Sequence, residues 1–172
     1  MTIANTATAA PDSAAALPAS PAAAAQGVEA RLVADSARLG FLPKHFGSRR
    51  YLKGENAVYN WMGALCPEYR GGYWEFLDLS NGSFYMRPTD CPPRACPPGA
   101  TSATLPHRML VRVEGNGFEG DVSADAAGII ATLFALNYLV CGGAEELTDK
   151  YYALREFALR HPESASILGA ID

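Results

Sequence analysis

An aromatic β-hairpin around Asn81-Gly82 constrains the fold of this chain more than any other feature. Asn-Gly is the preferred pair of a two-residue type I′ turn, because both positions need a positive φ. This turn predicts that Leu79 faces Phe84 and that Phe76 faces Arg87. In that register one face of the hairpin is apolar and lines the core. The second face combines aromatic and charged side chains, namely Trp74, Phe76, Asp78, Tyr85 and Arg87.

Apolar spacing predicts helices before and after this hairpin. We expect helices over residues 28–39 and 49–65, a compact turn over 41–47 between them, and further helices over 124–140 and 145–160. The helix over 124–140 is apolar almost all round, which is typical of a central core helix. It is shorter than the ~20 residues that a membrane span needs. Ser123 is suited to cap its start.

A second hairpin is predicted from two short strands, residues 108–114 and 118–122, that flank Asn116-Gly117. A last helical turn holds Ile167, Leu168 and Ile171. Together these elements predict an α+β fold with a small antiparallel sheet of hairpins, packed with about four to five helices in a single domain over residues 28–172.

Two segments carry little helix or strand signal. Residues 1–27 are almost entirely Ala, Pro, Ser and Thr, so they bury too little apolar surface to order and are expected to form a disordered tail. Residues 89–106 are rich in Pro, Cys and Thr and predict a long irregular loop. The absence of a secretion signal in this sequence favours a reducing cytoplasm and free thiols.

Composition and sequence motifs argue against several classes of function. A formal net charge of −4 over 172 residues is too small for a DNA mimic and lacks the basic excess of a dedicated nucleic-acid binder. The Gly-x-Gly-x-x-Gly pattern over 115–120 fits a hairpin turn better than a dinucleotide site. Cys91, Cys96 and His107 fall short of the four ligands of a structural zinc site. We therefore expect no catalytic set, metal, cofactor, small-molecule ligand or membrane.

Two alternatives stay open. A basic patch around the start of the second helix is either a solvated face or a contact for nucleic acid or an acidic protein. It comprises Lys44, His45, Arg49, Arg50 and Lys53. A cryptic hydrolase could act from a cleft near Ser123 and Asp125, because catalytic groups need not be close in sequence.

Several ordered blocks of the chain resemble the ArdB/KlcA antirestriction family, and the KlcA type of conjugative plasmids most closely. The resemblance covers about residues 38–172. The blocks are Leu39-Gly-Phe-Leu-Pro-Lys-His-Phe46, Cys66-Pro-Glu-Tyr69, Gly71-Gly-Tyr-Trp-Glu-Phe76, Leu79-Ser-Asn-Gly82, Phe84-Tyr-Met86, Gly115-Asn116 with Phe118, Ser123-Ala-Asp-Ala-Ala-Gly-Ile129 and His161-Pro-Glu163.

The resemblance implies an inhibitor of host type I restriction systems that protects incoming plasmid DNA, with a compact mixed α/β fold and no cofactor. The expected partner is the host type I restriction-modification complex, and direct DNA binding is not expected. Aromatic and Arg side chains are typical anchors of protein interfaces. We therefore predict partner contacts at the second hairpin face and beside it, unless another element covers that face as core. The predicted residues are Tyr69, Arg70, Trp74, Phe76, Tyr85 and Arg87.

Overall fold

The computed structural model describes residues 27–89 and 108–172. The tail predicted over residues 1–27 lies outside this part except for its last residue. The predicted loop over residues 89–106, with Cys91 and Cys96, lies outside it except for Thr89, and His107 lies outside it too. These predictions therefore stay predictions.

Five strands and five helices follow one another along the described chain. Two short 3₁₀ turns, Asp35–Ala37 and Glu145–Leu147, precede helices α1 and α4. The elements are β1 (Ala30–Leu32), α1 (Arg38–Phe46), α2 (Tyr51–Leu65), β2 (Trp74–Leu79), β3 (Phe84–Pro88), β4 (Arg108–Val113), β5 (Phe118–Ser123), α3 (Ala124–Cys141), α4 (Thr148–Leu159) and α5 (Ser164–Ile171).

The strands form two small antiparallel sheets. One sheet has the order β1-β2-β3, and the other is the β4-β5 hairpin. The predicted α+β class is therefore confirmed. The helices predicted over 49–65 and 124–140 correspond to α2 and α3, and the one predicted over 145–160 corresponds to the second 3₁₀ turn and α4.

The N-terminal predictions are wrong. Residues 28–39 do not form one helix, because the chain first runs as β1, where Ala30 lies opposite Leu79. Ser80 N donates to the carbonyl of Glu29 and Val33 N donates to the carbonyl of Phe76, which extends this pairing beyond both ends of β1. The turn expected over residues 41–47 is instead part of α1. Burial of Phe41 against the sheet outweighs the weak helix preference of the nearby Gly and Pro residues.

The predicted register of the first hairpin is wrong by one residue. Phe76 lies opposite Met86, and Leu77 lies opposite Tyr85. The loop therefore has three residues, and only Gly82 adopts a left-handed φ, of 86°. A type I′ turn would need a positive φ at Asn81 as well. Asn81 instead donates through Nδ2 to a backbone carbonyl of α4, 2.8 Å away, which holds the tip in this conformation.

The corrected register redistributes the side chains of the hairpin. A one-residue slip changes which residues of the two strands share a face. Trp74 and Phe76 lie on one face with Phe84, and Tyr85 and Arg87 lie on the other. Helix α1 packs on the first face, and α3 packs closely on strand β3. Both faces of this hairpin are therefore covered.

Helix α3 is the centre of the core, as predicted. It is long and apolar enough to cross a membrane by length and composition alone, yet two thirds of its residues are buried among the other elements. Gly128 lets it approach β3 closely, because a Cβ there would lie 2.4 Å from the Met86 carbonyl oxygen. One turn later, the Met86 amide donates to Thr132 Oγ1 over 3.3 Å.

Candidate functional site

A network of charged and polar side chains lies where α3 begins. It joins strands β2, β3 and β4, the first turn of α3 and the turn between α4 and α5. The close approach at Gly128 brings that first turn over β3. We call this network the Asp125 cluster, and its members are Glu75, Tyr85, Arg87, Arg108, Ser123, Asp125, His161 and Glu163.

Asp125 is the centre of the cluster. Its Oδ1 accepts hydrogen bonds from Arg87 Nη1 at 2.7 Å and from Tyr85 OH at 2.9 Å. Its Oδ2 lies 3.2 Å from His161 Nε2. Arg87 also donates through Nε to Glu75 Oε2 over 2.7 Å, so one guanidinium joins two carboxylates. Such charge-assisted bonds are among the stronger ones in proteins.

Glu163 extends the cluster on its other side. It accepts hydrogen bonds from the backbone and hydroxyl of Ser123 and from Arg108 Nη1, the last over 3.1 Å. The Glu163 amide donates to His161 Nδ1 over 3.0 Å. Because Nδ1 is an acceptor here, the ring carries its proton on Nε2 and donates it to Asp125. Both nitrogens of His161 are therefore engaged.

The cluster shifts the pKa of Asp125, Arg87 and Tyr85. Burial on its own raises the pKa of Asp125, but hydrogen bonds from His161, Arg87 and Tyr85 outweigh it and hold the pKa below its usual value. Burial lowers the pKa of Arg87, and its bonds to Asp125 and Glu75 reverse this and raise it. Burial and the Asp125 carboxylate both raise the pKa of Tyr85.

A cavity of about 300 Å³ opens beside these groups, lined by residues that include Arg87, Thr89 and Ser123. A hydrolase acting here would need a nucleophile within hydrogen-bond reach of a base. Ser123 Oγ does donate to the Glu163 carboxylate, but the same oxygen accepts the Ala126 amide as the cap of α3. His161 is bonded to Asp125 and to the Glu163 amide rather than to Ser123. In residues 27–89 and 108–172 no group of three or more His, Cys, Asp or Glu side chains is arranged to hold a metal ion. The hydrogen bonds of the Asp125 cluster hold strands, helices and turns of the fold together.

The structure separates the six residues predicted to bind a partner. Trp74, Phe76 and Tyr85 are only 4%, 6% and 1% exposed, so of the two alternatives for these aromatic side chains the structure bears out the one in which other elements cover them as core. The cause is the corrected register together with the helices on both faces. Arg87 is half-buried in the Asp125 cluster. Tyr69 is partly buried and accepts from Trp74 Nε1, and Arg70 is exposed.

The predicted basic patch is largely neutralised by internal pairs. Lys44 Nζ lies 2.8 Å from Asp78 Oδ2, and Arg50 forms an ion pair with Glu146. His45 is buried, and its Nε2 lies 2.6 Å from Asp78 Oδ1. Burial, the largest cause, lowers the pKa of His45 to about 4, so the ring is neutral near pH 7. Lys44, His45 and Arg50 therefore offer little free positive charge to a nucleic-acid backbone, which leaves Arg49 and Lys53 of the predicted patch.

Sequence reasoning found parts of the Asp125 cluster but not the whole. The capping role of Ser123 is confirmed, and the cleft near Ser123 and Asp125 exists. The Gly-rich segment over 115–120 lies in the β4-β5 hairpin, as expected. The pairing of Asp125 with Arg87 and His161 was missed, because these residues are far apart in sequence. Asp125 and His161 were marked in the sequence by their place in blocks that resemble one family.

Comparisons with known proteins agree with this resemblance. Residues 67–172 match the family model described as "Antirestriction protein". The chain therefore belongs to the antirestriction protein family. It is 45% identical over 152 residues to antirestriction protein KlcA of Escherichia coli, covering 86% of this chain and 96% of KlcA. It is 35% identical over 142 residues to the uncharacterized protein YfjX of Escherichia coli strain K12, covering 81% and 85%.

A solved structure shares the fold. It comes from work on the KlcA and ArdB proteins, which are described as showing a novel fold and antirestriction activity against Type I DNA restriction systems in vivo but not in vitro. The TM-score is 0.70 with 47% sequence identity, over 86% of this chain and 96% of that chain.

Proposed function

We propose that this protein inhibits host type I restriction systems and so protects incoming plasmid DNA, acting in the cytoplasm by binding rather than by catalysis. The observation that carries the proposal is similarity over almost the whole length of KlcA, at 45% identity. The related KlcA and ArdB proteins have antirestriction activity against type I systems in vivo. The direct partner that we propose is the restriction-modification complex itself.

The chemistry of the described residues favours binding over catalysis. In the Asp125 cluster, Ser123 Oγ caps α3 and donates to Glu163, and both nitrogens of His161 are bonded to other groups, so His161 is not placed to take a proton from Ser123. The net charge of −4 is also too small for an inhibitor that imitates the phosphates of DNA. Recognition of a protein surface is the remaining mode that fits both observations.

Three of the six predicted contact residues still reach the surface or a cavity. We propose that Tyr69, Arg70 and Arg87 contribute to partner binding, since arginine and tyrosine are enriched in interface anchors. Trp74, Phe76 and Tyr85 are buried and act in this view by supporting the hairpin. Arg70 is the most accessible of the candidates, because its side chain is exposed.

The test is a plating assay in living cells, because the related proteins act in vivo but not in vitro. Unmodified phage is plated on cells with a type I system, with and without this protein, and the protein should raise plating efficiency at least about tenfold. Cells without the system and phage already modified by the host are the controls. Equal plating with and without the protein would contradict the function. Full protection by Arg70→Ala would contradict only the role of Arg70.

A further inference from the structure

An aromatic groove lies between α2 and α3, away from the Asp125 cluster. It has a volume of about 270 Å³, and we call it the α2–α3 groove. Two alanines of α2 form its small-residue part, and large side chains of both helices flank them. Its lining residues are Ala57, Asn60, Trp61, Ala64 and Tyr138.

Two partly exposed aromatic rings, those of Trp61 and Tyr138, line the groove. Trp61 is partly buried and packs on Phe134, with ring centroids 4.8 Å apart. Tyr138 is 53% exposed, although it lies on the central core helix. Large rigid rings with part of their surface in water are typical anchors of protein interfaces, because they bury much area at little cost in side-chain entropy.

One end of the groove carries positive charge. Lys53 Nζ lies 6.0 Å from the centroid of the Tyr138 ring, within range of a weak cation–π contact. Over the described parts of the chain, neither Lys53 nor the nearby Arg49 forms an ion pair, whereas Arg50 pairs with Glu146. The charge at this end is therefore available to a carboxylate from outside.

The size of the groove also restricts its occupant. Sites for small molecules usually enclose about 300–1,000 Å³ and bury most of the ligand. The α2–α3 groove is at the lower end of this range and one of its walls, Tyr138, is half exposed, which suits one or two apolar side chains of a protein segment. A nucleic-acid strand would need several cations in a row to neutralise its phosphates.

We propose that the α2–α3 groove docks a segment of a restriction-complex subunit that presents an apolar side chain and, close to it, a carboxylate. The apolar side chain lies between Trp61 and Tyr138, and the carboxylate pairs with Lys53. This inference rests on the proposed function for the identity of the partner. The groove contains none of the six partner-binding residues predicted from the sequence.

Photo-crosslinking in cells tests the groove directly. A photoreactive phenylalanine analogue replaces Tyr138 in the full chain, in cells that contain a type I system with a different affinity tag on each subunit. Illumination should join the protein to one tagged subunit. The matched control replaces Tyr152, which is 63% exposed on α4 and lines no part of the groove. It should give at least about fivefold less of that product.

Each result has a defined meaning. A product with a tagged subunit from position 138 supports the docking site even when the plating assay shows no protection, so the two proposals can fail separately. Other occupants overturn it: a product with a second copy of the chain, a crosslink within the chain to residues 1–26 or 90–107, or a product with nucleic acid. A missing product, or equal products from positions 138 and 152, also overturns it.

The charge at Lys53 is tested in the same crosslinking background. Lys53→Glu should reduce the yield of the subunit product about tenfold, because it places two carboxylates opposite each other. Lys53→Arg keeps the charge and should stay within about twofold of the parent yield. Far-UV circular dichroism confirms that both variants fold. Equal yields from the two variants would contradict an acidic partner segment.

Discussion

Asp78 and Asp125 are surrounded by the same kinds of group, yet the two aspartates connect different parts of the fold. Each aspartate lies within hydrogen-bond distance of a histidine Nε2 and forms an ion pair with a cation. Asp78 connects β2 only to neighbouring residues of α1. Asp125 connects α3 to β3 and to the turn between α4 and α5.

The two histidines differ mainly in the contacts of their ring nitrogen Nδ1. His161 Nδ1 accepts the Glu163 amide, whereas His45 Nδ1 is buried without a partner among the described residues. His45 also lies between aromatic rings, with its centroid 4.3 Å from that of Phe84. We therefore expect Asp125 to stabilise the fold more than Asp78 does, because the polar atoms of its histidine are satisfied as well.

Asp125→Ala is expected to cause the largest loss of folding stability. The change leaves Arg87, Tyr85 and His161 without their shared acceptor in a partly buried site, so the free energy of unfolding should fall by about 2–3 kcal/mol. Urea denaturation at neutral pH measures it. Asp121→Ala is the matched control, because its carboxylate is exposed and should matter by about 0.5 kcal/mol or less. A loss as small as that of the control would remove the central role of Asp125.

A smaller loss of folding stability is expected at low pH, through His45. The unfolded histidine binds a proton below about pH 6.5, but the folded ring stays neutral until its pKa of about 4. Stability is therefore complete above about pH 6.5 and is lost as the pH falls. Between about pH 7.5 and pH 5, protonation of His45 in the unfolded chain should lower the free energy of unfolding by about 2 kcal/mol. Urea midpoints across this range measure the slope.

His45→Gln is the control for this pH effect. Glutamine can still donate to Asp78 but does not titrate, so its urea midpoint should vary less between the two pH values. The charged groups that act on His45 are Asp78, Lys44 and Lys150. Asp78 has a pKa below its usual value, despite burial, owing to bonds from Lys44 and His45, so it adds its own loss only at lower pH. An unchanged slope in His45→Gln would assign the pH effect to other groups.

The smallest effect is expected from Lys44→Ala. The Lys44 side chain is 58% exposed, and water screens its pair with Asp78. Exposed ion pairs usually contribute about 0–1 kcal/mol, so the free energy of unfolding should change by less than about 0.5 kcal/mol. A thermal melt beside the Asp125→Ala variant measures both. A loss comparable to that variant would make the two aspartates equivalent and cancel the comparison.

Local signals in the sequence predicted the elements that depend on local physics. The apolar pattern gave α2 and α3, and Ser123 was correctly identified as the cap of α3. The hairpin register was missed, because the Asn81 side chain bonds to α4 far along the chain. Strand β1 was missed for a similar reason, since its amides are satisfied by a distant strand.

The candidate site was less predictable than the fold. Aromatic and charged alternation left open whether this face is exposed or covered as core, and it could not reveal that helices cover both sides of the hairpin. The contacts of Asp125 with Arg87 and His161 join residues 38 and 36 positions apart. Only the packed positions of α3 and the α4–α5 turn bring them together, and no spacing rule contains that information.

At Gly128, the packing of α3 on β3 controls the electrostatic contacts at the start of α3. The hydrogen atom in place of a side chain sets the distance between the axis of α3 and strand β3. Asp125 lies almost one helical turn earlier on the same rigid helix, so a wider separation would lengthen its bonds to Tyr85 and Arg87 together. The ion pairs at one end of this helix thus depend on a single absent methyl group, three residues away.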